Sequence, residues 1–444
     1  MVTARELACT VLVQVMDEGA MSHIALREAL DQATETFGME GRDRRFATAL
    51  VQGTLERLLL LDAKINGLSK TPVKKMKPWI RELLRMSTYQ LLFLPEIPAS
   101  AVCNEAVKLA QKRKFHGLKG FVNGILRNIS RDPSLPDVDD SARYSQQEWL
   151  VHRWEESFGR EQTEIMMQAF FERRPLAVRR NTSIVNADTL YASWERDGLT
   201  AEPVPYVPDA WYLKGFESID RTEAFRKGWI QVQDVSSMLA AMAAAPEKGA
   251  SILDLCAAPG GKSMHLADLT GSGGSVLARD LTENKTRMIR ENRERAGFTW
   301  MKVEEADARV LDEDLIDCMD VVMADLPCSG LGTMGHKPEI RYRITPEAIR
   351  ELAALQREIL AQAWRYVKPG GVLVYSTCTI TPEENQENFY WIAENTPLIP
   401  ESLDAFLPEA LHSETTAKGY LQLLPGIHKG CDGFFISRFR KLER

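Results

Sequence analysis

From residue 251 onward, short apolar runs that read as strands alternate with longer stretches of helical periodicity. That alternation limits the fold more than any other feature of the chain. The expected strands are Ser251–Leu255, Ser275–Ala278, Met301–Val303, Asp320–Ala324 and Gly371–Tyr375. The expected helices are Ser263–Leu269, Glu283–Ala296, Pro346–Val367 and Pro382–Asn395. Such alternation builds a parallel sheet with helices on both faces. Leu421–Leu424 and Phe434–Phe439 have the form of a closing antiparallel pair. Open α/β sheets keep their chemistry beyond the C-terminal ends of the strands, and this chain places its unusual residues there.

The first strand runs into Asp254-Leu-Cys-Ala-Ala-Pro-Gly-Gly-Lys262. Small residues and tandem glycines let backbone approach a ligand closely, and the next helix offers its N-terminal amides. A phosphate-cradling P-loop needs glycine where this chain has Cys256, and G-x-G-x-x-G is absent. Asp280 ends the second strand, about twenty residues past the glycines, where a carboxylate can hold ribose hydroxyls. Asp307 ends the third and is expected near the base. Three carboxylates in register (Asp254, Asp280, Asp307) beside a glycine turn suit a ribose-and-adenine cofactor, with S-adenosylmethionine the best match.

Two later strand ends carry cysteines. Val321–Ala324 leads into Asp325-Leu-Pro-Cys328, and Val372–Tyr375 into Ser376-Thr-Cys-Thr379. Two thiols so placed suggest a covalent nucleophile and a helper. Carbon 5 of cytosine is too weak a nucleophile to take a methyl group unaided. A thiolate added to carbon 6 converts the ring to an enamine, and a base must then remove the carbon-5 proton. Cys378 is the expected nucleophile, Cys328 the expected helper. Asp325 is expected to hydrogen-bond N3 and the exocyclic amine of a base flipped from its stack. Asp-Leu-Pro-Cys also approaches the Asp/Asn-Pro-Pro-aromatic signature of exocyclic-amine methylation, but Cys328 stands where that chemistry needs an aromatic ring. Of the seven cysteines, Cys9, Cys103, Cys318 and Cys431 are expected as buried small hydrophobes and Cys256 as structural within its turn. None forms a C-x-x-C pair, so zinc and disulfide frameworks lack support and no metal is expected.

Residues 3–130 repeat apolar positions at helical spacing, with breakers at Gly38–Gly41, Ser69–Pro72 and Pro95–Pro98. Pro133 and Pro136 mark a linker, and 141–228 read as a small α+β module. Charge is uneven: residues 1–135 hold 20 Lys+Arg against 14 Asp+Glu, a net +6, which leaves −13 for the remainder of a chain with net charge −7. A basic first third on an acidic body suits a polyanion-binding module joined to a catalytic domain. Lys108, Lys112, Arg113, Lys114, Lys119 and Arg127 are the candidate RNA contacts, with Arg173, Arg174, Arg179 and Arg180 as further candidate phosphate grips. Lys74, Lys75, Lys77, Arg81 and Arg85 read as a solvated face. The longest nearly all-apolar run, Met238–Pro246, is far too short to span a bilayer, so a soluble, cytoplasmic protein without membrane contact is expected. No heptad or large apolar stripe demands a partner, so a monomer is expected.

Gln233-Asp-Val-Ser-Ser237, Leu255–Lys262, Asp325-Leu-Pro-Cys-Ser-Gly330, Tyr375-Ser-Thr-Cys-Thr-Ile-Thr-Pro-Glu-Glu-Asn385 and Asp432–Phe439 together resemble the RsmB/Sun (Fmu) family of small-subunit ribosomal RNA cytosine-5 methyltransferases. Asn104-Glu-Ala-Val107 and Gly120–Asn128 are similar to that family's NusB-like RNA-binding domain. The resemblance implies a multidomain chain: an all-α NusB-like domain (1–132), a connecting α+β RNA-binding module (140–230) and a Rossmann-like class I S-adenosylmethionine-dependent catalytic domain (231–444). It implies cofactor contacts at Cys256, Ala257, Ala258, Pro259, Gly260, Gly261, Lys262, Asp280, Asp307 and Asp325, a nucleophile at Cys378 and a second cysteine at Cys328. Small-subunit rRNA, naked or in an early assembly particle, is the implied partner. Where the family usually has two arginines before a Lys/His-Pro-Asp/Glu step, this chain has Gly335-His336-Lys337-Pro338-Glu339. Two alternatives stay open: a tRNA substrate, or a NusB-like assembly factor with a silent methyltransferase domain.

Overall fold

The computed structural model describes residues 2–443, which divide into two compact units. One unit contains the chain up to Phe171 together with Met334–Arg343. The other contains Glu172–Thr333 and the chain from Ile344.

In the first unit the helices Ala4–Asp17, Ser22–Phe37, Arg42–Glu56, Leu58–Asn66, Pro78–Phe93, Ala99–Lys112 and Lys119–Arg131 bear out the all-helical reading, and their breaks fall at the expected glycines and prolines. Glu148–Phe158 and Arg160–Ala169 follow in the same unit. Thr3 caps the first helix by accepting from the Glu6 amide at 3.2 Å. Leu7, Val11, Leu12 and Val15 recur at three- and four-residue spacing on that helix and share one core with Leu50, Leu83 and Leu84. Two of the basic residues read as a solvated face are internal. Arg85 is buried against Asp62 (2.6 and 2.7 Å) and Glu82 (2.7 Å). Arg81 bridges Glu82 and Asp17.

The segment Met334–Arg343 serves the first unit as a set of helix caps. The Glu339 carboxylate accepts from Ser22 N (2.9 Å) and Ser22 Oγ (2.7 Å) at the start of Ser22–Phe37. The wholly buried Arg341 donates to Glu56 O, the last residue of Arg42–Glu56, and to Tyr144 O, both at 3.4 Å. Arg343 donates to Val15 O, Gly19 O and Ala20 O at the end of Ala4–Asp17. A carboxylate at a helix N-terminus and guanidiniums at two C-termini match the sign of each helix dipole. Glu339, which ends the Lys-Pro-Glu step just after the departure at Gly335-His336, therefore works inside a protein core.

The second unit begins with a four-stranded antiparallel sheet. It is built from β1 (Leu176–Arg180), β2 (Thr200–Pro203), β3 (Ala210–Lys214) and β4 (Ile230–Val232) in the order β2-β3-β1-β4. Val178, Leu190, Trp194, Trp211 and Ile230 form its core. The helix Val235–Ala244 comes next and is buried nearly all round; sequence periodicity had not marked it.

The large sheet contains β5 (Ser251–Asp254), β6 (Ser275–Asp280), β7 (Met301–Glu305), β8 (Met319–Asp325), β9 (Val367–Thr377), β10 (Leu398–Pro400), β11 (Tyr420–Leu423) and β12 (Phe434–Lys441). Its order is β10-β12-β9-β8-β5-β6-β7, with β11 paired to β12. The five strands from β9 to β7 are parallel; β10, β11 and β12 join antiparallel, as the closing pair predicted. Side chains alternate between two cores: Val321, Met323, Val372 and Val374 enter one, Val322, Ala324, Leu373 and Tyr375 the other. The helix Pro346–Tyr366 opens with Thr345 as cap and Pro346 in its first turn, and buries Ile349, Ala353, Gln356, Leu360 and Ala363 at helical spacing. No helix among the described residues is long and apolar enough to cross a membrane.

Candidate active site beyond the strand ends

Parallel pairing puts the ends of β6, β5, β8 and β9 side by side, with Asp254 aligned to Met323 and Asp325 to Ser376. After β5 the chain turns through residues 255–260 into the helix Gly261–Thr270. Gly260 sits at φ +105°, where a Cβ would meet Ile289 Cγ2 at 3.3 Å. Beside this turn lies a cavity of about 210 Å³ lined by Leu255, Cys256, Asp280, Leu281, Lys285, Ala306, Asp307, Ala308, Arg309, Pro327, Leu355 and Ile359. Apolar walls with two carboxylates at the edge suit a flat base and a ribose. Asp280 is already oriented, accepting from Ala258 N at 2.9 Å and Leu281 N at 2.8 Å and pairing with Lys285 at 2.9 Å. Asp307 is paired with Arg309 at 2.7 Å.

Asp254 lies buried at the end of β5. Its Oδ2 accepts from Ser263 Oγ, while Oδ1 has no partner. Burial raises this carboxyl to about 7, with the charge of Asp325 adding to the effect and Ser263 and Lys262 opposing it. An unpaired buried acceptor beside the glycine turn fits a cofactor that brings its own cationic group. Burial also pushes the Cys256 thiol well up, helped by Asp280, Asp254 and Asp325, which agrees with a structural role for it.

The second cluster lies past β8 and β9. Cys328 Sγ and Cys378 Sγ are 3.3 Å apart. The hydrogen bond to Cys378, then burial, then the charges of Cys378 and Glu384 push the Cys328 thiol well above its ordinary value. These causes hold the Cys328 thiol toward its protonated form. Lys262 Nζ lies 2.7 Å from Asp325 Oδ2, and Ser376 Oγ donates to Asp325 Oδ1 at 2.7 Å. Burial pulls the Lys262 ammonium down, but Asp325, then Cys378 and Asp254, outweigh it, and the group stays a cation. Two glycines let the loops meet: Gly332 N donates to Cys378 O at 3.1 Å, and a Cβ on Gly332 would overlap Gly433 O.

The structure thus sorts the expected site residues into two neighbouring groups of one unit. Cys256, Asp280 and Asp307 line the cavity, while Lys262, Asp325, Cys328 and Cys378 form the thiol cluster. Ala257–Gly261 shape the turn between β5 and the next helix. Lys262 had been read as a cofactor contact at the tail of the turn, and its ion pair with Asp325 was not foreseen. Gln356, Ser329, Thr379, Glu384 and Asn385, which hold the cysteine loops, were also missed. Two expectations need correction. Arg179 is buried against Asp268 (3.0 Å), Arg180 binds Asp209 and Arg174 binds Asp432, so these three are structural and only Arg173 of that group is exposed. Cys318 is exposed, because it sits just before β8, past the short helix Glu313–Leu315 and its turn, whereas Cys9, Cys103 and Cys431 are buried as expected. The basic set Lys108, Lys112, Arg113, Lys114, Lys119 and Arg127 is exposed on the first unit, but Lys112 also binds Glu6 at 2.6 Å and Lys108 binds Glu105 at 2.8 Å.

The sheet and its glycine turn lie within the part of the chain that matches a methyltransferase family, which makes this an S-adenosylmethionine-dependent methyltransferase. Three family models match in succession: the NusB family over residues 2–131, the ferredoxin-like domain of RsmF/B-like methyltransferases over 146–220, and the 16S rRNA methyltransferase RsmB/F over 241–440. The probable ribosomal RNA small subunit methyltransferase B of Bacillus subtilis (strain 168) is 36% identical over 99% of this chain and 99% of its own length. The crystal structure of PH0851 matches with a TM-score of 0.83 and 27% identity over 99% of both chains. NSun6 from Pyrococcus horikoshii, solved with SFG, shares the fold over 67% of this chain and 99% of its own, with a TM-score of 0.59 and 23% identity. The chain belongs to the ribosomal RNA small subunit methyltransferase B family.

Proposed function

We propose that this protein methylates carbon 5 of a cytosine in 16S rRNA, and that Cys378 bonds covalently to carbon 6 during the reaction. The observation that carries the reading is the thiol pair, 3.3 Å apart past the ends of two neighbouring strands, beside the Lys262–Asp325 ion pair. A methyltransferase acting on an exocyclic amine has no use for a thiolate. One acting on carbon 5 needs a nucleophile and later a base. S-adenosylmethionine supplies the methyl group when bound, with Asp254, Asp280 and Asp307 as the residues that would hold it.

Cys378 is the nucleophile. Lys262 is a fixed cation that favours the charged form of Cys378 and pairs with Asp325. Asp325, oriented by Lys262 and Ser376, is the partner for N3 and the exocyclic amine of the target base. Cys328 is hard to ionise chiefly because Cys378 is beside it. Once Cys378 has bonded to carbon 6, that cause disappears, and Cys328 becomes able to lose its proton and serve as the base for carbon 5. The exposed basic set of the first unit is the surface for RNA phosphates, which position without specifying sequence.

The test is to incubate the purified protein with S-adenosylmethionine and unmodified small-subunit rRNA, then measure methylated nucleosides by mass spectrometry. 5-Methylcytidine is expected, and none from Cys378→Ala protein. A methyl group on an exocyclic amine would overturn the role given to Cys378.

A further inference from the structure

The residues after Cys378, Thr379-Ile-Thr-Pro-Glu-Glu-Asn385, turn back beneath both cysteine loops before the helix Gln386–Asn395 begins. Glu384 and Asn385 are wholly buried there. Burying a carboxylate is costly unless donors surround it. Glu384 has four: Ser329 N (2.8 Å) and Gln356 Nε2 (3.1 Å) reach Oε1, and Ser329 Oγ and Thr381 Oγ1 (2.7 Å) reach Oε2. Gln356 Nε2 also donates to Pro327 O at 2.8 Å. The residues on either side of Cys328 are thus held by one carboxylate and one amide.

Asn385 does the same for Cys378. Thr377 Oγ1 donates to Asn385 Oδ1 at 2.6 Å, and Asn385 Nδ2 donates to Thr379 O at 3.0 Å. The two brackets are tied together by Ser329 Oγ and Thr379 Oγ1, 2.6 Å apart. Apart from the bond from Thr381, every bond in this set reaches a residue next to a cysteine or runs between the groups that hold one. Because these donors and acceptors are buried, a loop that shifts must leave a polar group unpaired and out of reach of water. The separation of the two sulfurs is therefore set from below.

We propose that Glu384 and Asn385 are the positioning residues of the thiol pair, holding Cys328 and Cys378 at the separation that the reaction uses through Ser329, Thr377 and Thr379. This rests on the reading of the thiols as nucleophile and base. Neither side chain reaches the reacting atoms; they act through the loops.

The experiment measures thiol separation without relying on methylation. Wild-type protein, Glu384→Ala, Glu384→Gln and Ser329→Ala are treated with diamide, and the rate of Cys328–Cys378 disulfide formation is followed by mass spectrometry. Steady-state methylation of rRNA is measured beside it. Glu384→Gln keeps an acceptor toward Ser329 N and Gln356 and presents its amide to two hydroxyls that can reverse. It is expected to cross-link near the wild-type rate. Glu384→Ala and Ser329→Ala are expected to cross-link at least fivefold more slowly. Their kcat is expected to fall at least tenfold, with KM for RNA and Kd for S-adenosylmethionine within twofold of wild type.

Wild-type cross-linking in either truncated variant overturns the proposal, as does a loss of activity carried by KM. If Glu384→Ala has no cooperative thermal transition, Ser329→Ala decides alone. Should wild-type protein make no 5-methylcytidine, the functional reading fails while the cross-linking rates still judge the positioning role.

Discussion

Replacing Arg179 by methionine should cost stability and leave RNA binding alone. Arg179 and Asp268 are both 2% exposed, so solvent does little to screen them. The guanidinium donates to Asp268 Oδ2 (3.0 Å), Arg180 O (2.9 Å) and Asn181 Oδ1 (3.0 Å). Burial pulls it down to about 10, with Asp268 opposing, so it remains a cation at neutral pH. Removing one partner of a buried pair costs about 3–5 kcal/mol, mostly from the charge left behind. Here Asp268 keeps four other donors, the backbone N–H and hydroxyl groups of Thr182 and Ser183 at 2.6–3.0 Å. Those bonds place the expected cost in the lower half of that range, about 3–4 kcal/mol. For a unit of this size that is a fall in Tm of roughly 6–16 °C. Arg179→Met with Asp268→Leu should cost less than the two single changes added together, because no charge is then stranded. The assay is thermal unfolding of the full chain, alongside RNA affinity at several salt concentrations. A phosphate contact would show the opposite pattern, with unchanged Tm and a salt slope smaller by about 0.7–0.9. That pattern would refute the assignment of Arg179 to the protein core.

Three further outcomes are expected. Asp254 has a folded value of about 7 against an ordinary value of 3.8, so it stabilises fully below the ordinary value and loses that contribution as pH rises through 7. By linkage the loss approaches roughly 4 kcal/mol between pH 4 and 8. Urea unfolding of cofactor-free protein should show it, and the same pH slope in Asp254→Asn would exclude it. Cys328→Ala should lower turnover by roughly 10²–10⁴-fold, the usual worth of a general base, while a protein–RNA adduct accumulates on denaturing gels; turnover lost without any adduct would remove Cys328 from the base role. Changing Lys114, Lys119 and Arg127 together to alanine should lower the salt slope of RNA binding by about 2, near 0.7 for each single-strand phosphate contact. An unchanged slope would remove that surface from RNA binding.

What sequence could reveal was whatever depends on neighbours along the chain. Asp280, Asp325, Cys328 and Cys378 were legible because each follows a strand directly, and a parallel sheet lines up strand ends. The helix Val235–Ala244 was not, because it is apolar on nearly every face and a helix buried all round has no period to detect. The start of β9 was set too late because Pro369-Gly370-Gly371 reads as a turn, although the strand continues through it with irregular pairing to β8. β2 and β4 are too short to show an alternation. Arg179 was misread for a different reason. Its partner is 89 residues away, and a count of charges cannot distinguish a cation in solvent from one in a core. The Lys262 ion pair spans 63 residues, and the bonds from Glu384 to Ser329 span 55; both were hidden in the same way, inside motifs that were themselves recognised.

The arrangement of charge around the two sulfurs also gives the proposed reaction an order. Lys262 is the cation that faces Cys378, and it is held in place by Asp325 rather than by the thiol. That charge is in place before substrate arrives, and in the proposed reaction it favours the thiolate form of the nucleophile. Glu384, on the other side, adds negative charge near Cys328, which opposes its ionisation. A second thiolate beside the first would compete for carbon 6 and repel the one already present. Keeping Cys328 protonated until Cys378 is neutralised by bonding prevents both. The base thus becomes available only once the covalent bond exists, ahead of the methyl transfer after which the carbon-5 proton must be removed. In the proposed reaction two cysteines of the same kind take opposite tasks, with the charge of Lys262 acting on Cys378 and that of Glu384 on Cys328.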